Sequence, residues 1–285
     1  MMIKNLKNKI NLLMSLIEKV KKDDVFALAS QLAYYLMLSF FPFILFLMTL
    51  AGLSSLSSSD VLNQLSVMLP KSILDLTQST IQEVFDNEYT GLLGISILLM
   101  VWTSSSAFKA IINSVNKAYD FKENRSFIKL SIISIAGILA LALTMILSLI
   151  ILVFGNVISE YIEKFHSVYR VMLALWGIFR YTFIFIIMII IFVGIYIFAP
   201  AQKLIWIEVI PGSIFSTIGW IIVSLGFSFY VDNFGNYSRF YGSLGAVFIL
   251  MTWLFLISII FILGIEINFV INQNKNKNKT HVIKS

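Results

Sequence analysis

The chain contains no cysteine and two histidines, His166 and His281, far apart in sequence. Disulfides, thiolate zinc sites, iron–sulfur clusters and cysteine nucleophiles are excluded, and metal or covalent catalysis has few candidates left. The residues able to do chemistry are instead charged and amide side chains set inside apolar stretches. Ser105, Lys109, Asn113 and Asn116 fall at i, i+4, i+8 and i+11, one stripe of a single helix. Gln31, Tyr35 and Ser39 make a similar stripe, while Glu208, Glu266 and Asn268 lie near the ends of other apolar segments. Counted at 1.5 Å per residue from the expected inner ends of their helices, Lys109 lies roughly 13 Å deep, Gln31 roughly 8 Å and Glu266 roughly 6 Å. Charges in hydrocarbon are costly and normally face a bundle interior or water. Gln31, Tyr35, Lys109, Asn113, Asn116, Glu208, Glu266 and Asn268 are therefore expected to converge on one polar pocket open to the inner side, with Lys109 and Glu266 facing each other or sharing a ligand. The plainer alternative is that Lys109 snorkels to the headgroups and Glu266 borders water. Catalytic residues, a metal site and a cofactor are not expected.

The elements that must position these residues are apolar helices. Of 285 residues, 59% are hydrophobic and 13% charged, about half the charged share of an ordinary soluble domain. A span needs roughly 20 mostly apolar residues, and six such runs can be traced, over residues 25–53, 91–119, 127–154, 169–198, 211–230 and 242–270. The expected fold is an all-α integral membrane protein, a bundle of about six transmembrane helices. Residues 1–24 form an amphipathic cytoplasmic helix, because Ile3, Leu6, Ile10, Leu13, Ile17 and Val20 recur at three- and four-residue steps among lysines. Residues 25–271 form the membrane domain, which includes short extracytoplasmic amphipathic helices over 59–88, and residues 272–285 are an Asn/Lys-rich tail expected to be disordered. Gly212, Ser216, Gly219, Gly242 and Gly245 are small enough to let helices approach closely in lipid. Arg180 is expected to anchor at the outer interface.

Orientation follows from Lys and Arg, which concentrate in cytoplasmic connections. With the N-terminus inside, the cytoplasmic set comprises Lys4, Lys7, Lys9, Lys19, Lys21, Lys22, Lys117, Lys122, Arg125, Lys129, Lys203, Lys275, Lys277, Lys279 and Lys284, which is 15 of the 21. The outer set is Lys71, Lys164, Arg170 and Arg239. Both ends are expected inside. The net charge of +6 then reports orientation and contact with anionic inner-leaflet lipids rather than nucleic acid.

Several stretches resemble the YihY/BrkB family of bacterial inner-membrane proteins, once described as ribonuclease BN. They are QLAYYLMLSFFP at 31–42, GLLGISILLMVWTSSSAFKAIINSVNKAY at 91–119, AP at 199–200, PGSIFSTIGWIIVS at 211–224, YGSLGAV at 241–247 and GIEIN at 264–268. The resemblance covers most of the chain and implies a six-helix membrane bundle in the bacterial cytoplasmic membrane. Glu266 and Asn268 are the residues that match the acidic and amide positions of its last motif.

The residues favour a transporter or flippase-like protein that handles a solute or an envelope lipid, partnered by the bilayer and with room for an oligomer. A non-catalytic envelope assembly protein is the alternative, since it needs no pocket. A nuclease needs metal ligands or a general acid and base near RNA, and the cytoplasmic connections supply only Asp120, Glu123 and lysines. No P-loop occurs. The orientation is testable because the chain lacks native cysteine. Cysteines placed at Ser57, Ser159 and Asn236 are expected to react with a membrane-impermeant thiol reagent in intact spheroplasts, whereas those at Lys122 and Asn276 react only after lysis. Labelling at Asn276 without lysis contradicts the orientation.

Overall fold

A computed structural model describes residues 2–52, 62, 78, 90–137, 169–234 and 244–283. Among these residues there are seven helices and no strand: α1 (Met2–Lys22), α2 (Val25–Gly52), α3 (Thr90–Ala118), α4 (Phe127–Gly137), α5 (Tyr169–Phe198), α6 (Trp206–Phe234) and α7 (Leu244–Ile283). The 59–88 segment, apart from Leu62 and Gln78, and the expected third span beyond Gly137 lie outside the described residues. So does Gly242.

The 3.6-residue period explains which faces meet. Leu28, Ala29 and Leu32 of α2 share a face, as do Phe108, Ile111, Ile112 and Val115 of α3 and Phe261, Ile262 and Ile265 of α7, and these side chains form the core together with Phe192 and Tyr196 of α5. Accordingly α2 packs on α3, α7 lies between α6 and α2, α5 packs on α6, and α1 meets α7. The outward faces stay apolar: Trp102, Phe127, Ile207 and Leu225 are each about two-thirds or more exposed. Exposed apolar area of this extent on regular helices suits lipid rather than water. Two described helices, Trp206–Val231 and Val247–Asn274, are long and apolar enough to cross a membrane.

Two boundaries depart from the sequence reading. The fifth span was expected to begin at Pro211, yet α6 starts at Trp206 and carries Pro211 inside it. Pro211 is the sixth residue of this helix, past the four positions whose amides lack an intrahelical acceptor, so its ring leaves the Ile207 carbonyl without its usual i+4 donor. Residues 272–283, expected to be disordered, continue α7 as helix to Ile283. Asn272 contributes there, donating from Nδ2 to the Glu208 carbonyl at 3.0 Å.

The α6–α7 contact is close. A Cβ added to Gly212 would strike the Gly264 carbonyl and the Asn268 amide, and one added to Gly219 would come within 2.6 Å of Ile260 Cγ2. Ser216 donates to the Ile260 carbonyl at 3.3 Å, and Tyr196 OH lies 2.8 Å from Ser216 Oγ while donating to the Phe261 carbonyl at 2.8 Å. Gly245 of α7 is also buried. Gly212, Ser216 and Gly219 thus sit at a helix interface, as their size requires. Gly264→Ala would push a methyl into Ser216 Oγ, Tyr196 OH and the Gly212 carbonyl, and it is expected to lower stability by about 1–3 kcal/mol, read as a fall in Tm. Gly226→Ala meets nothing within 4 Å and is expected to be neutral or mildly stabilising, because alanine is the better helix former.

Candidate functional site

The polar stripe of α3 opens onto a cleft of about 360 Å³ lined by Lys109, Ile112, Asn113, Asn116 and Lys117 of α3, by Phe121 and Glu123 of the following turn, and by Leu130 of α4. Its floor is fixed by Asn116, which is buried. Asn116 donates from Nδ2 to Glu123 Oε2 at 2.8 Å and accepts at Oδ1 from the Ala201 amide at 2.7 Å. Arg125 forks onto Glu123, with Nε 2.7 Å from Oε1 and Nη2 2.5 Å from Oε2, and its Nη2 also donates to the Ala199 carbonyl at 3.0 Å. Asn116 and Arg125 thereby clip the Ala199–Ala201 connection, which joins α5 to α6, onto the end of α3. The Arg125 hydrogen bonds hold the Glu123 carboxyl down to about 2, outweighing partial burial. Glu123 is therefore already committed. The free chemistry of the cleft belongs to Lys109, whose ammonium lies 4.4 Å from the centre of the Phe127 ring, and to Asn113 and Lys117, both exposed.

Glu266 and Asn268 are elsewhere. Both are fully buried on α7. Asn268 Oδ1 accepts from the Gly212 amide at 2.6 Å, and its Nδ2 has no partner. The Glu208 carbonyl and the Gly212 amide, which an α-helix would join to each other, are thus each met by an asparagine of α7, Asn272 and Asn268, four residues apart. The Glu208 side chain serves its own helix start, accepting from the Ile205 amide at 3.2 Å. Neither oxygen of Glu266 has a hydrogen-bond partner. The charges acting on it are Asp23, Lys19 and Asp120, and Lys109 is not among them. The expected Lys109–Glu266 juxtaposition does not form, because α3 turns Lys109 towards α4 while Glu266 faces the α1–α2 junction. Gln31 is exposed on α2, and Tyr35 is half-buried with its ring edge-on to Tyr34. The structure brings Lys109, Asn113 and Asn116 into one cleft and leaves the other five candidates outside it.

The α1–α2 junction was missed in the sequence. Lys19 is 7% and Asp23 2% exposed, and they form an ion pair at 2.6 Å. Lys19 also reaches Asp120 at 3.4 Å and lies 4.5 Å from the centre of the Phe269 ring, while Lys22 reaches Asp120 at 3.3 Å. The end of α3 has the bonding of a Schellman motif, from the Phe121 amide to the Asn116 carbonyl and from the Asp120 amide to the Lys117 carbonyl. Asp120 takes the left-handed position, φ 53°, usually given to glycine. Burial pushes the Asp120 carboxyl up, but Lys22 and Lys19 outweigh it and hold the group below its ordinary range. The available signal was the i, i+4 spacing of Lys19 and Asp23, hidden among lysines that read as one solvated face.

Comparison with known proteins follows the same residues. The model of the virulence factor BrkB family matches residues 16–284. The chain belongs to this family. A Bacillus subtilis BrkB relative, named a putative ribonuclease-like protein YfkH, is 39% identical over 247 residues, covering 87% of this chain and 90% of its own. A UPF0761 membrane protein of Pseudoalteromonas atlantica is 24% identical over 92% of this chain and 87% of its own, and one of a Psychrobacter species is 25% identical over 92% of this chain and 48% of its own. No solved structure matches. Membership and the exposed apolar helices make this a membrane protein of the BrkB family.

Asn116→Ala is expected to leave the Ala201 amide unpaired and to cost about 1–3 kcal/mol. The Glu123 contribution has the sign of a depressed carboxyl: it is complete above the ordinary value of 4.5 and is lost as pH falls towards about 2. Thermal melts of wild type and Arg125→Met between pH 5 and 2.5 check this. The wild type should lose stability relative to its neutral-pH value, and the variant should start lower and fall less.

Proposed function

We propose that this BrkB-family chain is a six-span protein of the cytoplasmic membrane, with both ends inside, that binds a polar solute or a lipid headgroup in the Lys109 cleft and passes it through the bundle as a transporter or flippase-like protein. The observation that carries the reading is the cleft itself. It places the ammonium groups of Lys109 and Lys117 and the amide of Asn113 around about 360 Å³, and among the described residues neither lysine is in an ion pair. Lys109 sits well inside an apolar helix, where an uncompensated charge marks a ligand path more often than a packing site.

We place the protein outside the enzymes. The one carboxylate in the cleft, Glu123, is tied to Arg125 and Asn116 and is poorly disposed to move a proton. The ribonuclease-like name belongs to the Bacillus subtilis relative, and the cleft supplies none of the acid–base pairing that hydrolysis of RNA demands.

The test is mass spectrometry of lipids and metabolites that remain with protein purified from its own membranes, comparing wild type with Lys109→Met and Lys117→Met. A defined class of molecule is expected on the wild type and depleted at least tenfold on both variants. An identical profile on all three, with cells indifferent to both changes, would reject the transport reading and leave the envelope assembly role. RNA cleavage that tracks with pure protein would restore the nuclease.

A further inference from the structure

Among the described residues, the buried side-chain atoms without a hydrogen-bond partner are Tyr119 OH, both oxygens of Glu266, Asn268 Nδ2 and Asp23 Oδ2, the last of which faces the Lys19 ammonium in an ion pair. All but Asn268 Nδ2 belong to the corner where the α1–α2 junction and the end of α3 meet α7. The charges in that corner do not balance. Lys19 is the one buried cation, and it faces two buried carboxyls, Asp23 and Glu266. Lys22 is exposed and answers Asp120, itself half exposed. Of the other described basic groups near the α3 end, Arg125 is engaged with Glu123, Lys109 lies over Phe127, and Lys117 and Lys122 are exposed. The remaining groups around Glu266 and Tyr119 are neutral or acidic: Asn272 and Glu208. A buried carboxylate without a compensating charge is costly enough that the fold must supply one or neutralise it.

We propose that Asp23 and Glu266 form a binding site for a single proton, shared between the two carboxyls beside the Lys19 ammonium. One proton on a Glu266 oxygen gives that unpartnered carboxyl a donor, and Asp23 Oδ2, which already meets Lys19 at 2.6 Å, accepts from it as a second contact. It also closes the charge count, leaving one ammonium against one negative charge delocalised over two carboxyls. Two adjacent carboxyls that cannot both ionise are a recurrent means of holding a proton. The site has a route to water along Asp120, which touches Lys19 at 3.4 Å and is 55% exposed at its side chain. Its position gives the proton a mechanical role. Asp23 lies at the turn where α1 leaves the bundle, next to Asp24 with φ 52°, and α1 carries exposed Ile10, Leu13, Met14 and Ile17 away from the bundle. Loss of the proton sets two carboxylates against one ammonium and weakens the hold of α7 on the α1–α2 turn. The inference does not depend on the Lys109 cleft.

The experiment is infrared spectroscopy of the full-length protein in phosphatidylcholine vesicles at neutral pH, reading the C=O stretch of a protonated carboxylic acid. Wild type is expected to show the equivalent of one such group. Glu266→Gln should lose it, because Asp23 and Lys19 then balance. Asp23→Asn should also lose it, because Lys19 then balances Glu266 directly. Lys19→Met should keep it. The Tm should be the same in sodium, potassium and choline chloride at equal ionic strength. No such band in wild type, a band unchanged in both carboxyl variants, or a Tm raised by sodium over choline would each overturn the proposal. If Glu266→Gln does not fold, Asp23→Asn and Lys19→Met still decide it, since the first is expected to lose the band and the second to keep it.

Discussion

In hydrocarbon no water is available to satisfy a polar group, so each one that a helix carries must be met inside the protein, by its own helix or by another. α7 is where that constraint is most heavily used. Over less than four turns it offers the carbonyls of Ile260 and Phe261, the glycine gap at Gly264, and the side chains of Glu266, Asn268 and Asn272, and α5 and α6 meet most of them with Tyr196, Ser216, Gly212 and Glu208. The tight α6–α7 approach is a condition of this pairing as much as a product of van der Waals contact. Asn268 reaches the Gly212 amide only because no side chain stands between them, and Pro211 beside it tolerates the departure from regular helix at that turn.

Which parts of this were legible in the sequence follows from the range of the forces involved. Helix existence and most boundaries depend on local hydropathy and period, so α2, α3 and α5 begin and end within a residue of expectation. The stripe of Lys109, Asn113 and Asn116 was also readable, because three residues on one helix share a face whatever the rest of the fold does. What failed was the step from shared depth to shared pocket. Counting residues along two helices leaves the rotation of each helix free, and that rotation is set by neighbours distant in sequence. Asn268 faces Gly212 while Glu266, two residues earlier and so nearly opposite on the helix, faces Asp23; no pattern within GIEIN distinguishes those directions. The tail was misread for a related reason. Its polarity argues for disorder, but Asn272 is claimed by the Glu208 carbonyl, and helix once nucleated propagates at little cost through residues that would not start one.

The structure instead sorts its charges into two compartments that stay apart. Glu123, Lys109 and Lys117 line the cleft beside α4, with Arg125 bound to Glu123, whereas Lys19, Lys22, Asp23, Asp120 and Glu266 gather at the α1–α2 junction. One short element divides them, the end of α3 from Asn116 to Phe121, and it is engaged on both sides: Asn116 holds Glu123 and Ala201 for the cleft, and Asp120 holds Lys19 and Lys22 for the junction. An aspartate in the left-handed position of a helix cap is a conformational concession that glycine would avoid, and glycine would leave both lysines without Asp120. The segment from Asn116 to Phe121 thus belongs to both compartments, and among the described residues no ion pair crosses between them.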